Sequence, residues 1–180
     1  MSKTLTVKFN EKELRKYGPR FLHMIRVMNE VIEREYAFSL EILAMKIELF
    51  KEEGYELASG KPEKSCGTVA CMMGWSGQDP WHKKQGLKIS INNYDCQYDI
   101  YYGIEKIVEK YLNISYEDSM KTFFINDNGK DCKQKVTAKQ ARRRLINLAI
   151  RKGVDVSVIP PLPAYLQRKI KTKITETNNV

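Results

Sequence analysis

The stretch Thr137-Ala138-Lys139-Gln140-Ala141-Arg142-Arg143-Arg144-Leu145-Ile146-Asn147-Leu148-Ala149-Ile150-Arg151-Lys152-Gly153 reads as one amphipathic helix from end to end. Thr137 and Gln140 stand at the spacing of a capping box, in which each side chain satisfies a backbone N–H of the opening turn. Gly153 stands where a left-handed C-terminal cap belongs. At about 100° per residue Ala138, Ala141, Leu145, Leu148 and Ala149 share one arc, while Gln140, Arg143, Arg144, Asn147 and Arg151 gather opposite. A helix divided in this way must bury its apolar face against other elements, and the pattern implies a helical core.

The same periodicity recurs upstream. Asn10 caps a brief helix over Glu11 to Tyr17, Gly18-Pro19 breaks it, and a longer helix follows with Phe21, Met24, Ile25, Met28 and Ile32 on its apolar face, ending near Glu35. Ser39 is placed to cap a helix carrying Leu40, Leu43, Ala44, Ile47 and Phe50, which Gly54 stops. Ile100, Ile104, Ile107, Val108 and Tyr111 line a further helix, and Ser115 opens a short one bearing Met120, Phe123 and Phe124. Thr4 to Phe9 alternates as a short strand, Ala58 to Ser65 is an exposed loop, and Trp81 to Asp95 is loop-like with a short strand at Leu87 to Ile91. The expected class is therefore mainly α with a minor β element. A compact helical domain spans residues 1–153, and a proline-containing basic tail spans 154–180.

One segment joins packing to chemistry. In Cys66-Gly67-Thr68-Val69-Ala70-Cys71-Met72-Met73-Gly74-Trp75, a helix opening at Gly67 places Gly67, Ala70, Cys71 and Gly74 on one nearly bare face, with Trp75 among the large residues opposite. Small residues at that spacing let a second backbone approach closely, so this helix is expected at the centre of the packing. A thiol enzyme is a rival reading, with Cys66 at a helix N-terminus as nucleophile and His82 as base. The chain has only two histidines, and His23, between Leu22 and Met24, reads as structural. Zinc held by Cys66, Cys71, His82 and Cys96 is disfavoured by intervals of four, ten and thirteen residues, far from the usual paired ligands. No metal or cofactor is expected, and the Asn126 to Asp131 stretch lacks the distal glutamate of a calcium loop.

Charge is more informative than cysteine. The net +9 is concentrated: residues 1–136 carry 21 Lys/Arg against 20 Asp/Glu, whereas residues 137–180 carry 10 against 2. That imbalance calls for an acidic partner, either nucleic acid or a nucleoprotein complex, with a host protein as the other choice. The binding residues implied are Arg142, Arg143, Arg144, Arg151, Lys152, Arg168, Lys169, Lys171 and Lys173. No helix-turn-helix, zinc-finger or aromatic RNA-binding motif is legible, so backbone contact rather than sequence readout is expected. The tyrosines around Asp95 to Tyr102 lie beside acids and offer a protein-binding surface as a third reading. With no run of 18 apolar residues and no signal-like start, a cytoplasmic protein with reduced thiols is expected, in no particular oligomeric state.

The motif Cys66-Gly67-Thr68-x-Ala70-Cys71-x-x-Gly74-Trp75 resembles one in a set of small bacterial and bacteriophage proteins that have no settled activity. Pro80, Gly86-Leu87, the helix Ile104 to Leu112, Phe123-Phe124, and Val136-Thr137 to Ala141 are similar to later features of those proteins, so that the likeness covers roughly residues 36–150. The resemblance implies a mostly helical fold and a phage or mobile-element setting, and the expected function is that of a non-enzymatic accessory protein in host interaction, including anti-defence. The chain departs from that set in Arg142-Arg143-Arg144 and the basic tail, which the reading makes its specific binding device.

Overall fold

The computed structural model describes residues 8–39, 44–54, 57–65, 68–87, 99–124 and 136–162. Among these residues the chain forms seven α-helices and one pair of short strands: α1 (Glu11–Glu33), β1 (Ala44–Lys46), α2 (Ile47–Glu52), β2 (Thr68–Ala70), α3 (Met72–Gln78), α4 (Pro80–Lys84), α5 (Asp99–Leu112), α6 (Tyr116–Phe123) and α7 (Ala138–Arg151). The fold is mainly helical, and α1 is its axis, packed against α3, α5 and α7. Phe21, Met24, Ile25, Met28 and Val31 of α1 meet Ala141, Leu145, Leu148 and Ala149 of α7 in one buried cluster, which Met72, Met73, Val108, Leu112 and Phe123 complete. No helix among the described residues is long and apolar enough to cross a membrane.

The signals at both ends of α7 operate as read. Thr137 and Gln140 form the reciprocal capping box. Gly153, at φ +86°, donates to Ile150 O, and Val154 donates to Ala149 O, closing the C-terminus in a Schellman arrangement. Beyond it Val154 and Ile159 are buried, and Asn29 of α1 donates to Pro160 O at 3.4 Å, so residues 154–162 pack on the body. Asn10 and Glu13 form a second capping box at the start of α1.

Three of the helix readings are corrected. Gly18-Pro19 does not divide α1, which runs unbroken through Pro19. Proline removes one N–H and disfavours helical geometry in its predecessor through a clash with that residue's Cβ, and Gly18 has no Cβ to clash. Residues 40–50 do not form one helix: Ala44–Lys46 is a strand and only Ile47–Glu52 is helical, while 40–43 lie outside the described residues. Gly67–Gly74 is not a single helix either. Thr68–Ala70 pairs antiparallel with Ala44–Lys46 in the register Ala44↔Ala70, and the helix begins only at Met72. Ala70 and Cys71 therefore share no helical face with Gly74; both are buried where the strand turns into α3.

This strand-to-helix turn is braced by the segment after α1. Phe38 N–H donates to Ser59 O, Ser39 N–H to Ala70 O, and the Trp75 indole to Ala37 O at 3.2 Å. Trp75 stacks on Tyr36 with ring centroids 5.0 Å apart. The 58–65 loop is less exposed than expected: the buried Ser65 hydroxyl accepts from Ala37 N–H, and Ser59 Oγ accepts from Ala138 N–H at the start of α7. Trp81 to Lys84, read as the start of a loop, belongs to the short helix Pro80–Lys84, because Asp79 caps it, its Oδ1 accepting from the backbone N–H groups of Trp81 and His82. Of the strands read at Thr4–Phe9 and Leu87–Ile91, Phe9 and Leu87 are buried outside any strand, and residues 4–7 and 88–91 lie outside the described residues.

Candidate functional site

The basic residues of α7 divide by their surroundings. Arg142 is half-buried against α1, its Nε donating to Asn29 Oδ1, and burial draws its pKa below the ordinary guanidinium value. Arg144 donates to the carbonyl of Phe124 at 3.4 Å, after α6. Arg151 and the buried Lys152 converge on the two oxygens of one buried carboxylate, Asp118 of α6, at 3.3 and 3.2 Å. The Lys152 ammonium also lies 5.5 Å from the centroid of the Phe9 ring. These four cations tie α7 to its neighbours, and for Lys152, the one among them that is buried, the Asp118 carboxylate is the partner that a charge withdrawn from water requires. Arg143 is different: exposed beside Gln140 and Asn147, it makes no hydrogen bond or ion pair among the described residues. Arg168, Lys169, Lys171 and Lys173 lie outside the described residues.

The candidate cysteine chemistry is also distributed. Cys66, Gly67 and Cys96 lie outside the described residues, so the Cys66–His82 pair does too. Cys71 is a free, buried thiol whose pKa burial pushes up, which disfavours the thiolate that both nucleophile and ligand require. Among the described residues no group of three or more His, Cys, Asp or Glu side chains is placed to hold a metal ion.

The structure assembles one cluster that sequence reading missed. His82, fully buried in α4, shares a 2.7 Å hydrogen bond through Nδ1 with the hydroxyl of Tyr111 on α5. Burial, aided by His23, lowers its pKa to about 4, so the ring is neutral. Burial likewise pushes the Tyr111 phenol up to about 12. Arg20 of α1 lies over the Tyr111 ring at 4.4 Å and donates to the Tyr111 carbonyl at 2.6 Å. His23, half-exposed on α1, lies 3.0 Å from Asp79 Oδ1 and stacks on Trp81 with centroids 4.5 Å apart and planes 18° from parallel. Both histidines of the chain thus meet where α1, α4 and α5 join. Their signal was the helical wheel of an unbroken α1, which aligns His23 with Lys12, Lys16 and Arg26; a break at Gly18-Pro19 hides it.

Comparison with known proteins finds no family model, no curated protein and no solved structure that matches the chain.

Proposed function

We propose that the protein is a non-enzymatic phage accessory protein that binds nucleic acid, or a complex that handles it, through its basic C-terminal region in the cytoplasm of a host cell. The observation that carries the reading is the charge partition, 10 Lys/Arg against 2 Asp/Glu over residues 137–180. Cations concentrated in this way bind phosphates by releasing counterions, with affinity that falls steeply as salt rises. The geometry of α7 supports a narrower division of labour. Arg143 is an exposed cation of α7 with no hydrogen bond or ion pair among the described residues, and the remainder of the binding charge belongs to Arg168, Lys169, Lys171 and Lys173. The resemblance in the Cys66 to Trp75 motif supports the phage setting, and with it a role in host interaction or anti-defence.

The test substitutes Arg143→Glu together with Arg168, Lys169, Lys171 and Lys173→Gln, leaving the arginines that hold the fold untouched. Capture from host lysate, with and without nuclease, is then compared with the wild type. The expected outcome is loss of a nuclease-sensitive association that the wild type shows and salt weakens. An association unchanged in strength and salt dependence would overturn the reading.

A further inference from the structure

A second basic surface lies on the folded body, on helices that the charge count along the chain marks as neutral. At about 100° per residue, Lys12, Lys16, His23 and Arg26 fall within about 80° on the side of α1 away from Met24, Ile25 and Met28. Between residues 12 and 26 this arc contains no acid. Along the axis Arg26 lies about 4.5 Å from His23 and Lys16 about 10.5 Å from it, at about 1.5 Å per residue. α4 is laid beside His23 through the Trp81 stack and contributes Lys83 and Lys84. Lys16, Arg26, Lys83 and Lys84 are all exposed, and none is held in an ion pair among the described residues.

The acids near this surface are already occupied. Asp79 Oδ1 receives the backbone N–H groups of Trp81 and His82 and lies 3.0 Å from His23 Nε2. Glu30, on the same arc one turn beyond Arg26, pairs with Arg34 at 3.0 Å, and Glu11 lies 3.8 Å from Arg15. What remains among the described residues is two exposed cations of α1, on either side of His23, and two of α4, next to a partly exposed indole that the His23 imidazole holds in place. Cations along a track with an aromatic ring among them match single-stranded nucleic acid, whose phosphates take the cations and whose unpaired bases are free to stack.

We propose that α1 and α4 form a second contact for single-stranded nucleic acid, in which Lys16, Arg26, Lys83 and Lys84 bind phosphates and Trp81 meets a base. This rests on the nucleic-acid reading given above and adds a site to it that is separate from the C-terminal region. The phosphodiester chemistry is common to DNA and RNA, so the test uses both.

Full-length protein is titrated against labelled 20-nucleotide oligo-dT and oligo-rU at several salt concentrations. A variant carrying Lys16, Arg26, Lys83 and Lys84→Glu is expected to bind at least ten-fold more weakly, with a shallower salt dependence; the four-fold Gln variant gives the same direction and guards against a fold disturbed by reversed charge. Indole fluorescence is expected to change on binding in Trp75→Phe, where Trp81 is the remaining tryptophan, and not in Trp81→Phe. Binding that survives both four-fold variants but is lost when Arg168, Lys169, Lys171 and Lys173 become Gln overturns this proposal and leaves the nucleic-acid reading standing. A wild type that binds neither oligonucleotide, in a protein whose lysate association resists nuclease, overturns the reading itself and the proposal with it. Unchanged fluorescence of Trp81 on binding removes that residue's part.

Discussion

Gly60 and Asp118 show how much a single position decides. At φ +84° Gly60 holds a backbone conformation that side chains rarely adopt, and a Cβ there would lie 1.9 Å from the Tyr36 carbonyl oxygen. Backbone cannot move aside as a side-chain tip can, so Gly60→Ala is expected to cost about 3 kcal/mol or more, measured as a lowered midpoint of urea unfolding. The Gly-Lys-Pro stretch announces a turn, but nothing in it announces that Tyr36 lies against the turn. Asp118 presents the opposite case, a carboxylate that reads as a helix-opening acid and proves to be the buried point where Arg151 and Lys152 converge. Removing the negative charge from two cations, one of them buried, makes Asp118→Asn destabilising by about 2 to 4 kcal/mol, again by urea unfolding. Arg143→Gln, with no partner to lose among the described residues, is expected to change stability by less than about 0.5 kcal/mol in the same measurement.

At the scale of the element, α1 and α7 stand at opposite ends of legibility. Every signal of α7 is local: a capping box, a glycine at the left-handed cap and an apolar arc that its neighbours bury. Local signals act through adjacent backbone groups and survive whatever the remainder of the chain does. In α1 the local rule was overruled, because the apolar residues before and after Pro19 both belong to the core that α7, α3 and α5 close. An unbroken helix keeps Leu14 and Tyr17, before the proline, packed against the same core as Phe21, Met24, Ile25 and Met28 after it, and this offsets the cost of an interior proline that Gly18 already reduces. Pro19→Ala restores the missing N–H at an exposed position and is expected to stabilise the protein by about 1 to 2 kcal/mol, read from thermal unfolding. The β1–β2 pair was illegible for a related reason. Three-residue strands are too short for an alternating pattern, and Ala44 and Ala70 read equally well as helix.

For the whole molecule, the junction of α1, α4 and α5 links stability to pH. His82 has a folded pKa of about 4, below the ordinary 6.5, so in the interval between these values the unfolded chain binds a proton that the folded chain declines. Stability is therefore full above about pH 6.5 and falls as the pH drops toward 4, by on the order of 2 to 3 kcal/mol. Chemical unfolding at pH 7 and pH 4.5 checks the sign, and His82→Gln is expected to flatten this part of the profile while lowering stability at pH 7. A profile that rises toward acid would contradict the buried, neutral assignment.

The amino-acid sequence by itself determined the helical class, the Asn10 cap of α1, the capping box and both ends of α7 and the concentration of charge after residue 137, because each depends on neighbours within a few positions along the chain. Only the tertiary structure decided which of those charges are spent. Arg142, Arg144, Arg151 and Lys152 are held by Asn29, Phe124 and Asp118, whereas Lys16, Arg26, Lys83 and Lys84, diluted by acids in the count over residues 1–136, are exposed and in no ion pair among the described residues. The physical reason is that a charged group is held by what lies within a few ångströms in space, and for the α7 cations that partner is tens of positions away in sequence.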